Sequence, residues 1–74
     1  MSRRVVDGRG LSCPEPVIIA KEAIEELASG QELDVLVDTQ VSCENVSRMA
    51  SHLGCQVRVV TQQDGIMTLT IGRP

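Results

Sequence analysis

The chain contains no phenylalanine, tyrosine or tryptophan among its 74 residues. Its core must therefore be built from aliphatic side chains, which carry less area per residue than aromatic rings. The missing rings also remove the usual platform for stacking nucleic-acid bases. A net charge of -3 adds no overall attraction for phosphate. The composition therefore argues against a nucleic-acid partner.

Long apolar runs are also absent from the sequence. No stretch approaches the roughly 18 apolar residues that a membrane span needs, and the first residues lack the apolar region of a secretory signal. Three cysteines, an odd number, do not suit a disulfide framework. We therefore expect a cytoplasmic protein with reduced thiols and no membrane partner. The length predicts a single domain over residues 1–74 with a small core.

Hydrophobic periodicity predicts an α/β domain with the element order βαβαββ. Apolar alternation indicates four strands, and helical spacing of apolar residues indicates two helices. The predicted elements are a strand at Val5 and Val6, a helix over 14–29, a strand over 33–37, a helix containing residues 43–53, and strands over 55–62 and 66–72. Gly30 and Gly54 are expected to end the helices, and Asp64-Gly65 is typical of a type I′ hairpin turn. Right-handed crossovers then place both helices on one face of a four-stranded mixed sheet, as a two-layer sandwich.

The second face of this sheet is predicted to remain open. Leu36 and Val60 break the strict alternation of their strands, so they would make that face partly apolar. Such residues indicate either a partner surface or the scattered apolar side chains that ordinary surfaces carry.

The stretch DGRGLSCPEP, residues 7–16, places one cysteine between a glycine-containing loop and two prolines. Proline suits the first helical position because it has no N–H that would need a partner. This predicts Pro14 at position N1, Cys13 as the N-cap and Pro16 at N3. A thiol at a helix N-terminus can have a lowered pKa, and the thiolate is the reactive form of cysteine.

The neighbours of Cys13 act on its thiol in opposite directions. Glu15 and Val17 would be the nearest free backbone donors, since proline supplies none. The Glu15 carboxylate would raise the pKa of the Cys13 thiol, whereas the Arg9 guanidinium would lower it. The alternative interpretation is structural, with Cys13 as a small apolar residue that fills the helix entrance.

The remaining candidate groups indicate no metal, cofactor or hydrolytic site. Cys43 and Cys55 fall at apolar positions and are expected to be buried inert thiols, with a resolving role toward Cys13 as the alternative. His52 falls mainly on the polar side of the second helix, and nothing in the sequence brings it near Cys13. Residues 8–10 lack the full pattern of a phosphate or dinucleotide loop and are predicted to form a flexible approach to the thiol.

Five residues form the pattern D-x-x-G-x-x-C-P-x-P: Asp7, Gly10, Cys13, Pro14 and Pro16. This pattern, with the βαβαββ order, resembles the signature of the TusA/SirA/YedF family over essentially the whole chain. The resemblance implies a compact two-layer sandwich and a sulfur-carrier role. In that role Cys13 accepts a persulfide from a cysteine desulfurase or a rhodanese-like donor. It then passes the sulfur to an acceptor protein in sulfur or selenium metabolism, and the other four residues support the site.

Two details refine the resemblance. TusA-like carriers usually have Asp-Pro after the second strand and a later Asp-Ile, where this chain has Asp-Thr at 38–39 and Glu-Asn-Val at 44–46. The chain is in this respect more similar to the YedF-type branch, as a stand-alone module. Arg9, Glu15 and Ile18 are expected to form the rim of the surface that docks partner proteins.

Two functions of different kinds follow from the sequence. One is a sulfurtransferase component that carries a persulfide on Cys13 and needs a nucleophilic thiol and a docking surface. The other is a non-catalytic regulatory or RNA-associated interaction module in which Cys13 is structural. The acidic net charge favours the first function.

Overall fold

The computed structural model describes residues 4–12 and 14–74, with backbone alone at 60–62. The elements in chain order are β1 (Arg4–Asp7), α1 (Glu15–Glu25), β2 (Glu32–Val37), α2 (Gln40–His52), β3 (Gln56–Gln63) and β4 (Ile66–Gly72). The predicted βαβαββ order is therefore confirmed. Neither of the two helices in this part of the chain is long and apolar enough to cross a membrane.

The four strands form one mixed sheet in the order β1-β2-β4-β3. β1 and β2 are parallel, while β4 pairs antiparallel with both β2 and β3. β3 consequently runs parallel to β2, and each helix connects two parallel strands. The two helices contact each other and share one core with the sheet, so both lie on the same face, which gives the predicted two-layer sandwich. The carboxyl ends of β1, β2 and β3 lie at one edge of the sheet, where both helices begin.

An aliphatic core fills the space between the sheet and the helices. Alternate residues of β2 and β4 face the helices, because side chains point to opposite sides along a strand. The residues that contribute fully buried side chains include Ile24, Leu33, Val35, Val37, Val46, Leu69 and Ile71. Three alanines, Ala20, Ala23 and Ala50, let the helices approach closely. The core of the domain is thus filled without any aromatic ring.

The open face of the sheet carries paired polar groups. The Thr70 hydroxyl donates a hydrogen bond to Asp34 Oδ1 at 2.8 Å. Beside this pair, Arg58 Nη2 lies 3.7 Å from Glu32 Oε2. Polar side chains therefore stabilise this face by pairing with one another, between the neighbouring strands β2 and β4 and across β4 between β2 and β3.

Some apolar surface is also present on the open face. Leu36 is half-buried and Val5 is 57% exposed. The predicted contribution of Val60 lies outside the described side chains. Isolated apolar residues of this kind are ordinary on protein surfaces.

The predicted hairpin turn and the predicted end of the second helix are confirmed. Asp64 and Gly65 have φ angles of 55° and 77°, as a type I′ turn requires. Thr39 caps α2, since its Oγ1 accepts a hydrogen bond from the Ser42 N–H at 3.1 Å. Gly54 follows the helix with a φ of 83°, the conformation that glycine adopts most readily at this position.

The predicted end of the first helix is wrong. The prediction extended the helix over 14–29 with Gly30 as its cap, whereas α1 ends at Glu25. Arg73 Nη1 donates to the Ile24 carbonyl at 3.0 Å, and the Gly30 N–H donates to the Arg73 carbonyl at 2.8 Å. The C-terminal segment thus supplies partners for the backbone that a longer helix would have used. A local apolar pattern does not reveal these long-range partners.

Candidate functional site

The candidate site is the loop that leads from β1 into α1. Asp7 ends β1, and the Gly8 N–H then donates to the Leu36 carbonyl at 2.8 Å, which extends the parallel pairing by one residue. A Cβ at position 8 would lie 3.0 Å from that carbonyl oxygen, closer than such atoms normally approach. Glycine is therefore needed here for a close approach of two backbones.

Asp7 and Arg9 form a two-point ion pair at the start of the loop. Arg9 Nε donates to Asp7 Oδ1 and Arg9 Nη2 to Asp7 Oδ2, both at 2.9 Å, and the Arg9 backbone N–H donates to Asp7 Oδ1 at 3.1 Å. These hydrogen bonds lower the pKa of Asp7 to about 2 and raise the pKa of Arg9. The positive charge predicted for the partner-binding rim is thus paired with a carboxylate over the physiological pH range.

Gly10 is held by a residue from the neighbouring strand end. Its N–H donates to Asp38 Oδ2 at 2.9 Å, and its φ of 74° lies in the left-handed region that favours glycine. Asp38 was not among the predicted site residues. The available signal was topological, because residues that follow two adjacent parallel strands meet at the same sheet edge.

Residues 8–10, which were predicted to form a flexible approach to the thiol, are anchored by hydrogen bonds. Each of these three residues donates its N–H to a defined acceptor: Gly8 to β2, Arg9 to the last residue of β1, and Gly10 to the residue just after β2. Residues 8–10 therefore reach the helix entrance along a fixed path.

The entrance to α1 differs by one residue from the prediction. Pro14 is the N-cap, with φ −98° and ψ 16°, and the helix begins at Glu15, so Pro14 is not N1 and Pro16 stands at N2. The Glu15 N–H donates to the Ser12 carbonyl at 2.8 Å, which forms a tight turn before the helix. The prediction of Cys13 as the N-cap is therefore wrong, since Pro14 holds that position. The placement of Cys13 itself lies outside the described residues.

The backbone donors that the sequence predicted as free are occupied. The Glu15 N–H bonds to Ser12, and the N–H groups of Val17 and Ile18 both donate to the Pro14 carbonyl at 3.1 Å. The carbonyl groups of Ser12 and of Pro14 accept these hydrogen bonds, so the amides are not free to bond a side chain. The N-terminus of α1 therefore contributes the positive end of the helix dipole, whereas the amides of Glu15 and Val17 are already hydrogen-bonded.

Pro16 connects the loop to the core. Its side chain is fully buried, and a Cβ at Gly8 would lie 3.5 Å from Pro16 Cβ and 3.6 Å from Val37 Cγ1. A proline suits this buried position because it brings no N–H that would need a partner. The ring thus packs beneath the loop and fixes the loop against the sheet.

The three predicted rim residues are on the surface. Arg9 and Glu15 are exposed, and Ile18 is 50% exposed. Glu15 and Ile18 belong to the first turn of α1, directly after the loop that carries Arg9. The exposed part of the rim therefore combines an acidic and an apolar side chain with a neutralised ion pair.

The other two thiols are buried, as predicted. Cys43 is 5% exposed and Cys55 is 9% exposed, and both belong to the core cluster. Burial, assisted by the neighbouring Glu44 carboxylate, raises the pKa of the Cys43 thiol. His52 is exposed at the end of α2. Across residues 4–12 and 14–74, no group of three His, Cys, Asp or Glu side chains is arranged to hold a metal ion.

Known proteins match this chain over most of its length. A family model described as sulfurtransferase TusA matches residues 4–73. A protein of Methanocaldococcus jannaschii, provisionally named a sulfur carrier protein, is 32% identical over 96% of this chain and 95% of its own. A protein of Halobacterium salinarum with the same provisional name is 38% identical over 81% of this chain and 73% of its own.

A solved structure has the same fold. The SirA-like protein from Desulfitobacterium hafniense superimposes with a TM-score of 0.83 at 38% sequence identity. The match covers 90% of this chain and 92% of that protein. The two-layer sandwich is therefore shared with a crystallographically determined relative.

Proposed function

The chain belongs to the TusA family of sulfurtransferases, and from this membership we propose that it carries sulfur as a persulfide on Cys13. The observation that carries the proposal is the family match over residues 4–73, which includes the entire loop between β1 and α1. Asp7, Gly10, Pro14 and Pro16 then act as supporting residues. The similarity to proteins provisionally named sulfur carriers supports the same role.

The proposed chemistry is an exchange of one sulfur atom between cysteines. The Cys13 thiolate attacks the outer sulfur of a donor persulfide, a new S–S bond forms, and the donor cysteine leaves as a thiolate. In the second step an acceptor thiolate attacks the outer sulfur of the Cys13 persulfide, and the Cys13 thiolate leaves. Each step breaks one S–S bond and forms one, so the exchange needs no external oxidant or reductant.

A carrier thiol benefits from an intermediate pKa. A low pKa improves cysteine as a leaving group, but it weakens cysteine as a nucleophile, and Cys13 has both roles in turn. The described groups around the loop carry a net negative charge, since the Arg9 charge is paired with Asp7 and exposed Glu15 adds a carboxylate. This setting supports a thiol that is only moderately activated by the helix dipole.

The shape of the domain also supports a carrier. Buried Pro16 and the bonded amides of Gly8 and Gly10 attach the loop to the sheet, so the thiol would be presented from a rigid edge. A carrier must enter the active sites of other proteins, which a protruding edge of a small domain suits better than a deep pocket would.

The proposal includes the class of the partners. The donor is a cysteine desulfurase or a rhodanese-like protein, the acceptor is a protein of sulfur or selenium metabolism, and the exchange occurs in the cytoplasm, where thiols stay reduced. Membership of the YedF-type branch, based on residues 38–39 and 44–46, stays a prediction.

Intact-mass spectrometry tests the proposal directly. The protein is incubated with a cysteine desulfurase, pyridoxal phosphate and cysteine, or with a rhodanese and thiosulfate. We expect the mass of one added sulfur atom on the wild type and on the Cys43→Ala/Cys55→Ala variant, and none on Cys13→Ala. Sulfur addition that persists in Cys13→Ala would contradict the assignment. RNA binding that weakens steeply with salt, without sulfur addition, would instead support the interaction-module alternative.

A further inference from the structure

A shallow groove runs between α1 and α2, beginning at the site loop. It has a volume of about 540 Å³, and apolar side chains form most of its lining. These apolar residues are Pro14, Val17, Met49 and Leu53. Val17 and Met49 also pack against the core, whereas Leu53 is 44% exposed at the end of α2. The groove therefore has a floor of side chains that pack against the core, together with an exposed leucine. It also includes Pro14, the residue that follows Cys13.

The rim of the groove is positively charged. Lys21 and Arg48 line it together with His52, and no carboxylate belongs to its lining. Cations elsewhere on the described chain are engaged by the protein itself: Arg4 with Glu26, Arg9 with Asp7, Arg58 with Glu32, and Arg73 with the Ile24 carbonyl.

Lys21 and Arg48 differ from those cations. Within residues 4–12 and 14–74, neither side chain forms a salt bridge or a side-chain hydrogen bond. This is notable because acidic residues outnumber lysine and arginine by ten to seven in the chain. Both unpaired cations border the same apolar groove, where they remain available to a partner.

We propose that the groove docks an acidic segment of the sulfur donor protein, with one aliphatic side chain of that segment seated against Leu53. This inference rests on the proposed persulfide function, because docking beside Pro14 brings the donor close to Cys13. Carboxylates of the segment pair with Lys21 and Arg48, which complements the charge of the rim. The aliphatic side chain removes the exposed Leu53 and Met49 surface from water.

Other occupants fit the groove less well. A symmetric dimer through this face would bring Lys21 and Arg48 against the same residues of a second copy, so like charges would meet. A nucleic acid would find no aromatic platform, and two cations are few for binding a phosphate backbone. An acidic protein segment that carries an aliphatic side chain complements both the positive charge of the rim and the apolar lining of the groove.

Charge reversal tests the rim. Transfer of sulfur from the desulfurase or rhodanese is followed over time by intact mass for Lys21→Glu/Arg48→Glu. We expect about a tenfold slower transfer at low salt, because steering by opposite charges is lost. Arg58→Glu, on the open face of the sheet, is the control for reversal of one charge away from the groove and should transfer at the wild-type rate. Wild-type transfer should itself slow as salt is raised, which tests the same attraction without a mutation.

Truncation of Leu53 tests the apolar contact of the groove. Leu53→Ser should slow transfer from the donor protein by about tenfold, because its contact with the donor's aliphatic side chain is lost. Val59→Ser is the control, since Val59 is a comparable apolar residue at 54% exposure on β3. Far-UV circular dichroism verifies that each variant is folded.

A small-molecule sulfur source separates the two proposals. Inorganic polysulfide needs no docking surface, so the groove variants should load from it at the wild-type rate. Wild-type protein that gains sulfur on Cys13 from no source would contradict the persulfide function itself. Loading from polysulfide with equal donor transfer in all variants would overturn the groove alone. Variants that lose only onward transfer, RNA binding or self-association would show that the occupant is not the donor.

Discussion

Two carboxylates determine the path of the site loop. Asp38 directly follows β2, and its carboxylate accepts a hydrogen bond of 2.9 Å from the N–H of Gly10, 28 positions earlier in the sequence. On the other side of the loop, Asp7 holds Arg9 by two side-chain hydrogen bonds. The two aspartates stand at the ends of the adjacent strands β1 and β2, and they bond to the consecutive residues Arg9 and Gly10. The shape of the loop depends on this pair more than on the flexibility of its glycines.

Removal of the Asp38 carboxylate should loosen the loop without unfolding the domain. For Asp38→Ala we expect a loss of about 1 kcal/mol in the free energy of unfolding, the usual worth of one such hydrogen bond at the surface. The Gly10 amide should exchange with solvent faster in hydrogen-exchange NMR, and sulfur loading should slow. Asp38→Asn keeps an acceptor oxygen and is the control. Unchanged Gly10 exchange in the alanine variant would mean that Asp38 does not position the loop.

At the scale of elements, the two helices begin in different ways. α2 has a side-chain cap, in which Thr39 accepts the Ser42 N–H. α1 has no side-chain cap, and its N-cap is Pro14, whose carbonyl accepts two amides of the first turn. The capped helix adjoins Asp38, so the Thr39 cap also fixes the residue that holds the loop.

The Thr39 cap should therefore contribute measurable stability. Thr39→Ala leaves the Ser42 amide without its side-chain acceptor and should lower the free energy of unfolding by about 1 kcal/mol. Thr39→Ser retains a hydroxyl and should stay close to the wild type. Urea denaturation followed by far-UV circular dichroism measures both variants, since the chain has no aromatic fluorophore. Equal losses in the two variants would attribute the effect to packing of the threonine methyl group.

The parts of the fold that were predicted correctly depend on neighbours in sequence. The alternation of β2 and the Asp64-Gly65 turn are local patterns, and both were found in the structure as expected. The early end of α1 and the Gly10–Asp38 hydrogen bond depend on partners far along the chain. The one-residue error at Pro14 arose because the Ser12 carbonyl forms a turn there, which the proline pattern alone does not specify.

On the scale of the whole molecule, one small core protects two of the three thiols. Cys43 and Cys55 lie in the same cluster as the strand and helix side chains, so a reagent reaches them only when that core opens. Burial also raises the pKa of Cys43, which leaves less thiolate at neutral pH. Chemical selectivity among the cysteines therefore reports the stability of the domain.

Alkylation with iodoacetamide, followed by peptide mass spectrometry, should separate the thiols under native conditions. We expect Cys13 to react faster than Cys43 and Cys55 by at least on the order of a hundredfold, since opening of a marginal domain still costs several kcal/mol. Addition of urea should bring the three rates together, because unfolding exposes every thiol equally. In the Cys13→Ala variant the two remaining rates should follow the unfolded fraction as urea increases. Equal native rates for all three cysteines would contradict an exposed carrier thiol, whatever the fold.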